Sequence, residues 1–255
     1  RSYSVTGVQT CALPIYFLSG RSLLRVSLRS LIPEWRIMRE TVSVGLSAFS
    51  RQVAGSVLAV VLNNSLVFYG GDIAVAVYGV INRLLMVFIM PMFGVNQGFL
   101  PIVGYNYGAR KMRRARESVK LASAVTTMIA LFSSIVMFLF ARQLISIFTD
   151  ETELIESTIY ALRIVILATP TIGVQVIASG MFQALGKALP ALFLSLLRQI
   201  IILIPLILVI PRFLGINGIW ISFPLADLIA FAISLVFYLR ELKIFRSGEL
   251  NVEEE

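Results

Sequence analysis

Long apolar runs, separated by short polar or charged turns, make up the chain from Thr41 onward. A helix needs roughly 20 predominantly apolar residues to cross about 30 Å of hydrocarbon. Six runs are long enough, and they predict membrane spans at about residues 41–68, 73–103, 119–140, 157–184, 191–210 and 218–239. We therefore predict an all-α, polytopic membrane protein, with a six-helix transmembrane lobe over residues 41–240.

Turn-forming and charged residues mark the boundaries of these runs. Gly70-Gly71-Asp72 predicts a tight turn between the first and second spans, and Gly104–Ala109 predicts a turn after the second. Three further boundaries are expected at the polar connection 142–156, at Gly186–Pro190 and at residues 211–217.

The two ends of the chain differ from this pattern. Residues 1–15 include VTGVQTCALPI, which resembles a translated sequencing adapter; we expect it to be an artefact and the protein to continue upstream of Tyr16. Residues 16–40 place arginines among leucines and predict an amphipathic segment on the cytosolic membrane surface. Residues 241–255 are expected to form a polar cytosolic tail that frays.

Composition supports the membrane interpretation. Apolar residues make up 58% of the chain and charged residues 14%, with a mean hydropathy of +0.87. A soluble domain carries about 25% charged residues. The chain has no histidine, which argues against a metal site and against histidine acid–base chemistry. The net charge of +8 does not indicate nucleic acid, because the basic residues cluster in the turns between apolar runs.

The distribution of positive charge predicts the orientation. With the N-terminal segment inside, the cytosolic side holds fifteen basic residues: five arginines within 21–39, six residues within 110–120, Lys187, Arg240, Lys243 and Arg246. The outer turns hold Arg142 and Arg212. Because lysine and arginine are retained on the cytosolic side, both termini of this chain are predicted to be cytosolic.

Four charged residues are predicted to lie deep inside spans: Arg51, Arg83, Arg198 and Asp227. A charge at such depth costs several kcal/mol unless it is paired or hydrated. Arg198 and Asp227, on neighbouring spans, are predicted to form a buried ion pair. The pair would either fix helix packing or handle an ion or substrate, and the sequence leaves both roles open.

Polar and helix-bending residues inside the spans suggest a hydrated, movable interior. A single amide in a membrane helix usually makes an interhelical hydrogen bond, but together these residues predict a substrate cavity. The candidate cavity residues are Asn63, Asn64, Asn82, Arg83, Asn96, Gln97, Gln175 and Gln183. Pro91, Gly94 and Gly98 are candidate bending positions, because proline removes a helix hydrogen bond and glycine lowers stiffness.

The segment PMFGVNQGFLPIVGYNYGARKMRRARE at 91–117 resembles the second lobe of multidrug and toxic compound extrusion (MATE) transporters. Supporting segments follow in family order, including NRLLMVFIMP at 82–91, YALRIVILATP at 160–170 and GINGIWISFPLADLIA at 215–230. The resemblance covers roughly residues 30–245. It implies a twelve-helix fold of two six-helix lobes, of which this chain is the C-terminal one. Residues 16–40 would then be the inter-lobe segment, and the N-terminal lobe would be missing.

The resemblance implies a cation-coupled antiporter in the bacterial plasma membrane. Such a protein exchanges Na+ or H+ for amphipathic, often cationic compounds, and it needs no cofactor or metal. One branch of the family binds the cation through carboxylates in the first and fourth spans of this lobe. Here residues 41–68 contain none, and the fourth span has none after Glu156. The coupling ion would therefore bind mainly in the missing lobe. The expected partners are membrane lipid, small amphipathic substrates and that lobe, and not nucleic acid.

Other functions remain open at this stage. A related flippase for a lipid-linked oligosaccharide or polysaccharide would share the helical bundle and have a more cationic cavity. A membrane-embedded enzyme would need a converging acid–base set, and one deep aspartate without histidine is too little. A scaffold would not need a bent, amide-rich second span. The sequence does not specify the substrate, the choice between Na+ and H+, or the oligomeric state.

Overall fold

The computed structural model describes residues 35–253. The adapter-like residues 1–15 and most of the predicted surface segment 16–40 lie outside this range. The chain divides into two compact units, residues 1–46 and residues 47–255. In the first unit, residues 35–46 are helical. The second unit contains the rest of the six predicted spans.

The first and second spans belong to the helix Trp35–Gly108, which breaks at Gly71. Its apolar part, Gln52–Gly108, is 57 residues long. At 1.5 Å per residue it would extend about 85 Å, far more than the hydrocarbon core is thick. Gly71 has φ 65° and ψ −164°, a conformation outside the helical region that glycine tolerates best. Two crossings therefore meet at Gly71, inside the predicted turn.

The second span ends later than predicted. Gly104–Gly108 remains helical, and the turn follows at Arg110, which has φ 56°. The Lys111 N–H donates to the Asn106 carbonyl over 2.8 Å and closes the helix. Gly104 lies at a close helix contact rather than in a turn, because a Cβ there would lie 3.3 Å from the Ala184 carbonyl oxygen.

The third span is the helix Met112–Leu139, and the fourth extends over Thr152–Ala184. The polar connection between them contains a short helix, Ala141–Ser146. The fourth span begins five residues before the predicted 157. Glu153 in its first turn stabilises this start, because a negative side chain interacts favourably with the positive end of the helix dipole. This span is built from Thr152–Val165, a 3₁₀ segment Ile166–Thr171, and Ile172–Ala184.

The fifth span extends over Ala188–Leu214 and changes helix type midway. Its first helix is Ala188–Leu196, and a π-helical segment, Leu197–Leu203, follows. Pro205 lacks the N–H that would bond the Ile201 carbonyl, so the α-helical hydrogen-bond pattern is interrupted where the π segment lies. The span ends with Ile204–Val209 and Pro211–Leu214.

The sixth span belongs to one helix, Ile216–Glu253, which contains Pro224. We predicted that the span would end near residue 239 and that a frayed tail would follow. The helix instead continues to Glu253, with Glu241 and Phe245 buried. The Phe245 ring lies 6.0 Å from the Tyr107 ring, which joins the C-terminal ends of the second and sixth spans. This burial gives the last turns a tertiary contact that hydropathy did not reveal.

The third, fourth and sixth spans pack against one another in the core of the lobe. The third and fourth spans come into close contact at Gly173, where the Thr126 hydroxyl donates to the Gly173 carbonyl over 3.1 Å. A Cβ at Gly173 would lie 2.7 Å from backbone atoms of Thr126 and Thr127. Glycine therefore lets the third and fourth spans meet backbone to backbone, as small residues do in membrane proteins.

Candidate functional site

Arg198 of the fifth span and Asp227 of the sixth form an ion pair in the middle of the lobe. Arg198 Nε donates to Asp227 Oδ1, and Arg198 Nη2 donates to Oδ2 over 3.4 Å. Counted from Ala188 and Ile216, each residue lies roughly 15 Å along its helix, near the midplane. The Asp227 side chain is 2% exposed and that of Arg198 is 30% exposed. The pair is thus buried on the carboxylate side only.

Gln175 links the fourth span to this ion pair. Its Nε2 donates to the Asp227 main-chain carbonyl over 3.1 Å and to the Thr171 hydroxyl over 3.3 Å. Because the amide bonds the backbone of Asp227 and not its carboxylate, both carboxylate oxygens remain available to Arg198. Gln175 therefore fixes the position of Asp227 without competing for its charge.

Tyr78 of the second span completes the group. Its ring stacks on Phe223 of the sixth span, with centroids 6.0 Å apart and an interplanar angle of 28°. Phe223 lies one turn before Asp227 on the same helix, so this stacking places Tyr78 against the sixth span near the ion pair. Tyr78, Gln175, Arg198 and Asp227, which we name the polar cluster, thus bring together residues of four spans.

Two of these four spans depart from regular α-helix near the polar cluster, and a third contains a proline there. The 3₁₀ segment Ile166–Thr171 precedes Gln175, and the π segment Leu197–Leu203 contains Arg198. Pro224 lies one turn before Asp227. Isolated π turns occur frequently at functional sites, and such irregular backbone is tolerated in a membrane where it is buried or lines a cavity.

The other predicted cavity residues do not join the polar cluster. Asn96 is half-buried against Gly180, and its Oδ1 has no hydrogen-bond partner within residues 35–253. The remaining candidates are exposed on the surface of this lobe: Asn63, Asn64, Asn82, Arg83, Gln97 and Gln183. Of these, Asn82 lies one turn from Tyr78 on the second span. The side chain of Arg51, the other charge predicted to lie deep, is outside the described residues.

The predicted bending residues lie on an exposed face of the second span. Pro91, Gly94 and Gly98 keep helical backbone angles, and Gly71 is where the helix breaks. A Cβ at Gly94 or Gly98 would have nothing within 4 Å. Neither glycine is therefore required by packing inside this lobe.

Comparison with known proteins identifies the family. The family model MatE matches residues 52–209, from Gln52 in the first span to Val209 in the fifth. The chain belongs to the MatE family. The helical architecture of residues 35–253 agrees with that assignment, and the chain is an integral membrane protein.

Among curated relatives of this MatE chain is the multidrug export protein MepA of Staphylococcus saprophyticus. The two are 29% identical over 226 residues, which is 88% of this chain and 49% of MepA. Among solved structures, a complex of the MATE multidrug transporter DinF-BH is 38% identical, with a TM-score of 0.82 over 94% of this chain and 54% of DinF-BH. The chain therefore spans about half the length of these relatives.

A more distant structure shares the fold of the MatE chain. It is an outward-facing multidrug resistance MATE family transporter of the MOP superfamily, 22% identical with a TM-score of 0.84. The match covers 94% of this chain and 55% of the transporter.

The MatE lobe has a second buried ion pair that the sequence did not reveal. Lys187 Nζ, in the turn before the fifth span, donates to Glu241 Oε1 over 2.6 Å. The Glu241 side chain is 5% exposed and that of Lys187 is 36% exposed. Charge counting treated Lys187 as one more cytosolic cation and Glu241 as part of a solvated tail. The signal missed was that both residues border the same membrane face.

Proposed function

We propose that this chain forms the C-terminal lobe of a cation-coupled antiporter. The transporter would export amphipathic drugs or toxic organic compounds across the bacterial plasma membrane. The observation that carries the proposal is the MatE match over residues 52–209. The relatives named as multidrug exporters support it. These proteins are transporters, so the polar cluster is interpreted as a site for binding and conformational change, not for catalysis.

A second six-span lobe would be the main partner of this chain in the transporter. The chain spans about half of its relatives, and the second span presents polar groups on a face that this lobe leaves exposed: Asn82, Arg83 and Gln97. We propose that these residues, with Asn63, Asn64, Asn96, Gln175 and Gln183, help to line the substrate pathway. Membrane lipid and small amphipathic compounds, cations among them, would be the remaining partners.

The coupling ion, Na+ or H+, is assigned mainly to the partner lobe. Residues 52–68 contain no carboxylate, and the fourth span has none after Glu156. Asp227 is the carboxylate near the midplane in the described part of the lobe, and it already has Arg198 as its counter-ion. A site whose carboxylate is neutralised by a tethered cation is a poor site for a second, mobile cation.

Vesicle transport tests the proposed function. This chain and its partner lobe would be reconstituted together, and uptake of a fluorescent amphipathic cation would be followed under a Na+ gradient, a pH gradient or neither. We expect dye movement under one of the two gradients and its loss when an ionophore collapses that gradient. Absence of movement under both gradients would contradict export by cation antiport.

A flippase for a lipid-linked saccharide is the second candidate, and the charge of the lobe favours it. Arg83 is exposed and Arg198 is partly exposed inside the spans, whereas Asp227 is buried. Cationic groups in the cavity would suit a pyrophosphate-linked lipid. The same vesicles, loaded with a short-chain lipid-linked saccharide, would show its translocation and no dye movement if this candidate is correct.

Cysteine labelling tests the proposed orientation. In a Cys11→Ser background, Lys111→Cys places one thiol in the turn after the second span, and Thr152→Cys places one before the fourth; both positions are exposed. We expect a membrane-impermeant maleimide added to intact cells to label position 152 only. Position 111 should react after the cells are lysed. Labelling of position 111 in intact cells would reverse the topology.

Pro91 is predicted to give the second span mobility during transport. Pro91→Ala restores the N–H that the Val87 carbonyl lacks, so the helix should stiffen. We expect normal membrane insertion and a several-fold slower initial rate of dye movement in vesicles at matched protein amount. Gly94→Ala and Gly98→Ala serve as controls, because alanine stiffens the helix locally at these positions without adding a contact. A rate for Pro91→Ala equal to that of the unmodified protein would show that the proline serves architecture alone.

A further inference from the structure

The guanidinium of Arg198 has hydrogen-bonding capacity that the ion pair does not use. An arginine side chain has five N–H donors in a planar fork. Asp227 accepts from Nε and from one N–H of Nη2, and these are the two hydrogen bonds that Arg198 makes within residues 35–253. Three donors, two on Nη1 and one on Nη2, therefore remain for a group outside the described lobe.

The accessible part of the ion pair belongs to Arg198. Asp227 is 2% exposed, whereas the Arg198 side chain is 30% exposed. Charged N–H groups at the midplane of a bilayer cannot face hydrocarbon without a large energetic cost. The accessible side of Arg198 must therefore face water in a cavity, or a polar ligand.

We propose that the free side of the Arg198 guanidinium binds the carboxylate of an amphipathic ligand. A carboxylate matches two parallel N–H donors of arginine, and such charge-assisted pairs are stronger and more directional than neutral hydrogen bonds. The site lies roughly 15 Å from the helix ends, which separates it from lipid phosphates held at the membrane interface. The ligand is therefore a substrate carrying its carboxylate on an apolar body.

The neighbours of Arg198 suit such a ligand. Tyr78 is half-buried on the second span and provides an aromatic side chain near the ion pair. Its ring is held by stacking on Phe223, and Asp227 is held by Gln175. The guanidinium is thus held by Asp227, which Gln175 fixes in turn, and preorganisation of this kind lowers the cost of binding.

Asp227 has two opposed effects on this site. It orients the guanidinium, but its own carboxylate attracts the same positive charge that the ligand needs. Removing the charge of Asp227 should therefore strengthen carboxylate binding, provided the fold is retained. This inference deepens the proposed function and rests on it, since it names the chemical group recognised, yet binding can be measured without partner lobe or ion gradient.

A matched pair of dyes tests the proposal. The probes are a rhodamine with a free pendant carboxyl group and the same rhodamine as its ethyl ester. Binding to the purified chain in phosphatidylcholine nanodiscs would be followed by fluorescence anisotropy. We expect the acid to bind about tenfold more tightly than the ester, as one charge-assisted hydrogen-bonded pair provides. Equal affinities would overturn the proposal.

Variants of Arg198 and Asp227 test whether the preference for the acid dye arises at this ion pair. Arg198→Gln with Asp227→Asn keeps the net charge and should equalise acid and ester, while Asp227→Asn alone should raise the acid preference several-fold. Arg163→Gln is the control, since Arg163 lies over the Phe138 ring away from the cluster, and it should keep the preference. Circular dichroism and size exclusion verify that each variant is folded. If the double variant does not fold, Arg198→Lys replaces it: lysine keeps the charge but lacks the paired N–H donors, so the preference for the acid over the ester should fall. A preference that survives in whichever of these two variants is folded would contradict the proposal.

Two further outcomes are distinguishable. Competition by phosphatidylglycerol in the nanodiscs would show that the site takes lipid headgroups, against the proposal. A retained acid preference in nanodiscs without any dye transport in vesicles would contradict the proposed function and leave the carboxylate site intact.

Discussion

Arg198→Gln is expected to destabilise the lobe more than Asp227→Asn. The first substitution leaves a carboxylate that is 2% exposed without its counter-ion, and breaking a buried pair in this way costs about 3–5 kcal/mol. The second leaves an arginine that is partly exposed and can be hydrated, so its cost should be about half as large. Folded yield after detergent extraction, and the unfolding midpoint of the purified protein, measure the difference.

The double variant separates structural from functional roles of the pair. Arg198→Gln with Asp227→Asn removes both charges and leaves two amides that can bond each other, so most of the lost stability should return. Recovered stability with recovered transport would show that the ion pair serves helix packing. Recovered stability without transport would make it part of the transport mechanism. Equal stability of both single variants and the unmodified protein would mean that neither residue depends on the other.

Gly173→Ala is expected to separate the third and fourth spans. A Cβ there would lie 2.7 Å from Thr126 and Thr127 backbone atoms, which cannot rotate away as a side chain can. Overpacking of this kind costs about 1–3 kcal/mol, and separation of the helices would also lengthen the 3.1 Å hydrogen bond from the Thr126 hydroxyl. We expect a lower thermal midpoint for the protein in detergent.

Gly79→Ala is the matched control for this prediction. Gly79 is also a helical glycine within a span and is half-buried, but a Cβ there has nothing within 4 Å. Alanine should therefore be neutral or stabilise the helix by about 0.5–1 kcal/mol. If both substitutions change the midpoint alike, close packing at Gly173 is not what limits stability.

Hydropathy was sufficient to predict the order of the spans and the approximate depth of charged residues within them. The turn expected at Gly70-Gly71-Asp72 contains Gly71, where the helical angles break. The depth of Arg198 and Asp227 along neighbouring spans led us to expect contact, and the two residues form an ion pair in the structure. Depth along a helix follows from counting residues, because the rise per residue is nearly constant.

The direction in which each side chain faces around its helix could not be predicted by counting residues. Asn63, Gln97 and Gln183 were grouped with Gln175 because all are amides inside spans, yet the structure brings only Gln175 to the polar cluster. Which way a side chain faces depends on how neighbouring helices pack, and a single sequence does not contain that information. For the same reason the stacking of Tyr78 on Phe223, close to Asp227, was not predicted.

The ion pair between Lys187 and Glu241 limits how far the C-terminus can be shortened. Judged by hydropathy, residues beyond 239 look dispensable, and a deletion there would be the natural choice for producing a smaller protein. Such a deletion would remove Glu241 and the fully buried Phe245, leaving Lys187 and Tyr107 without the groups they contact. Affinity tags and deletions should therefore start after Ser247, whose own side chain is exposed.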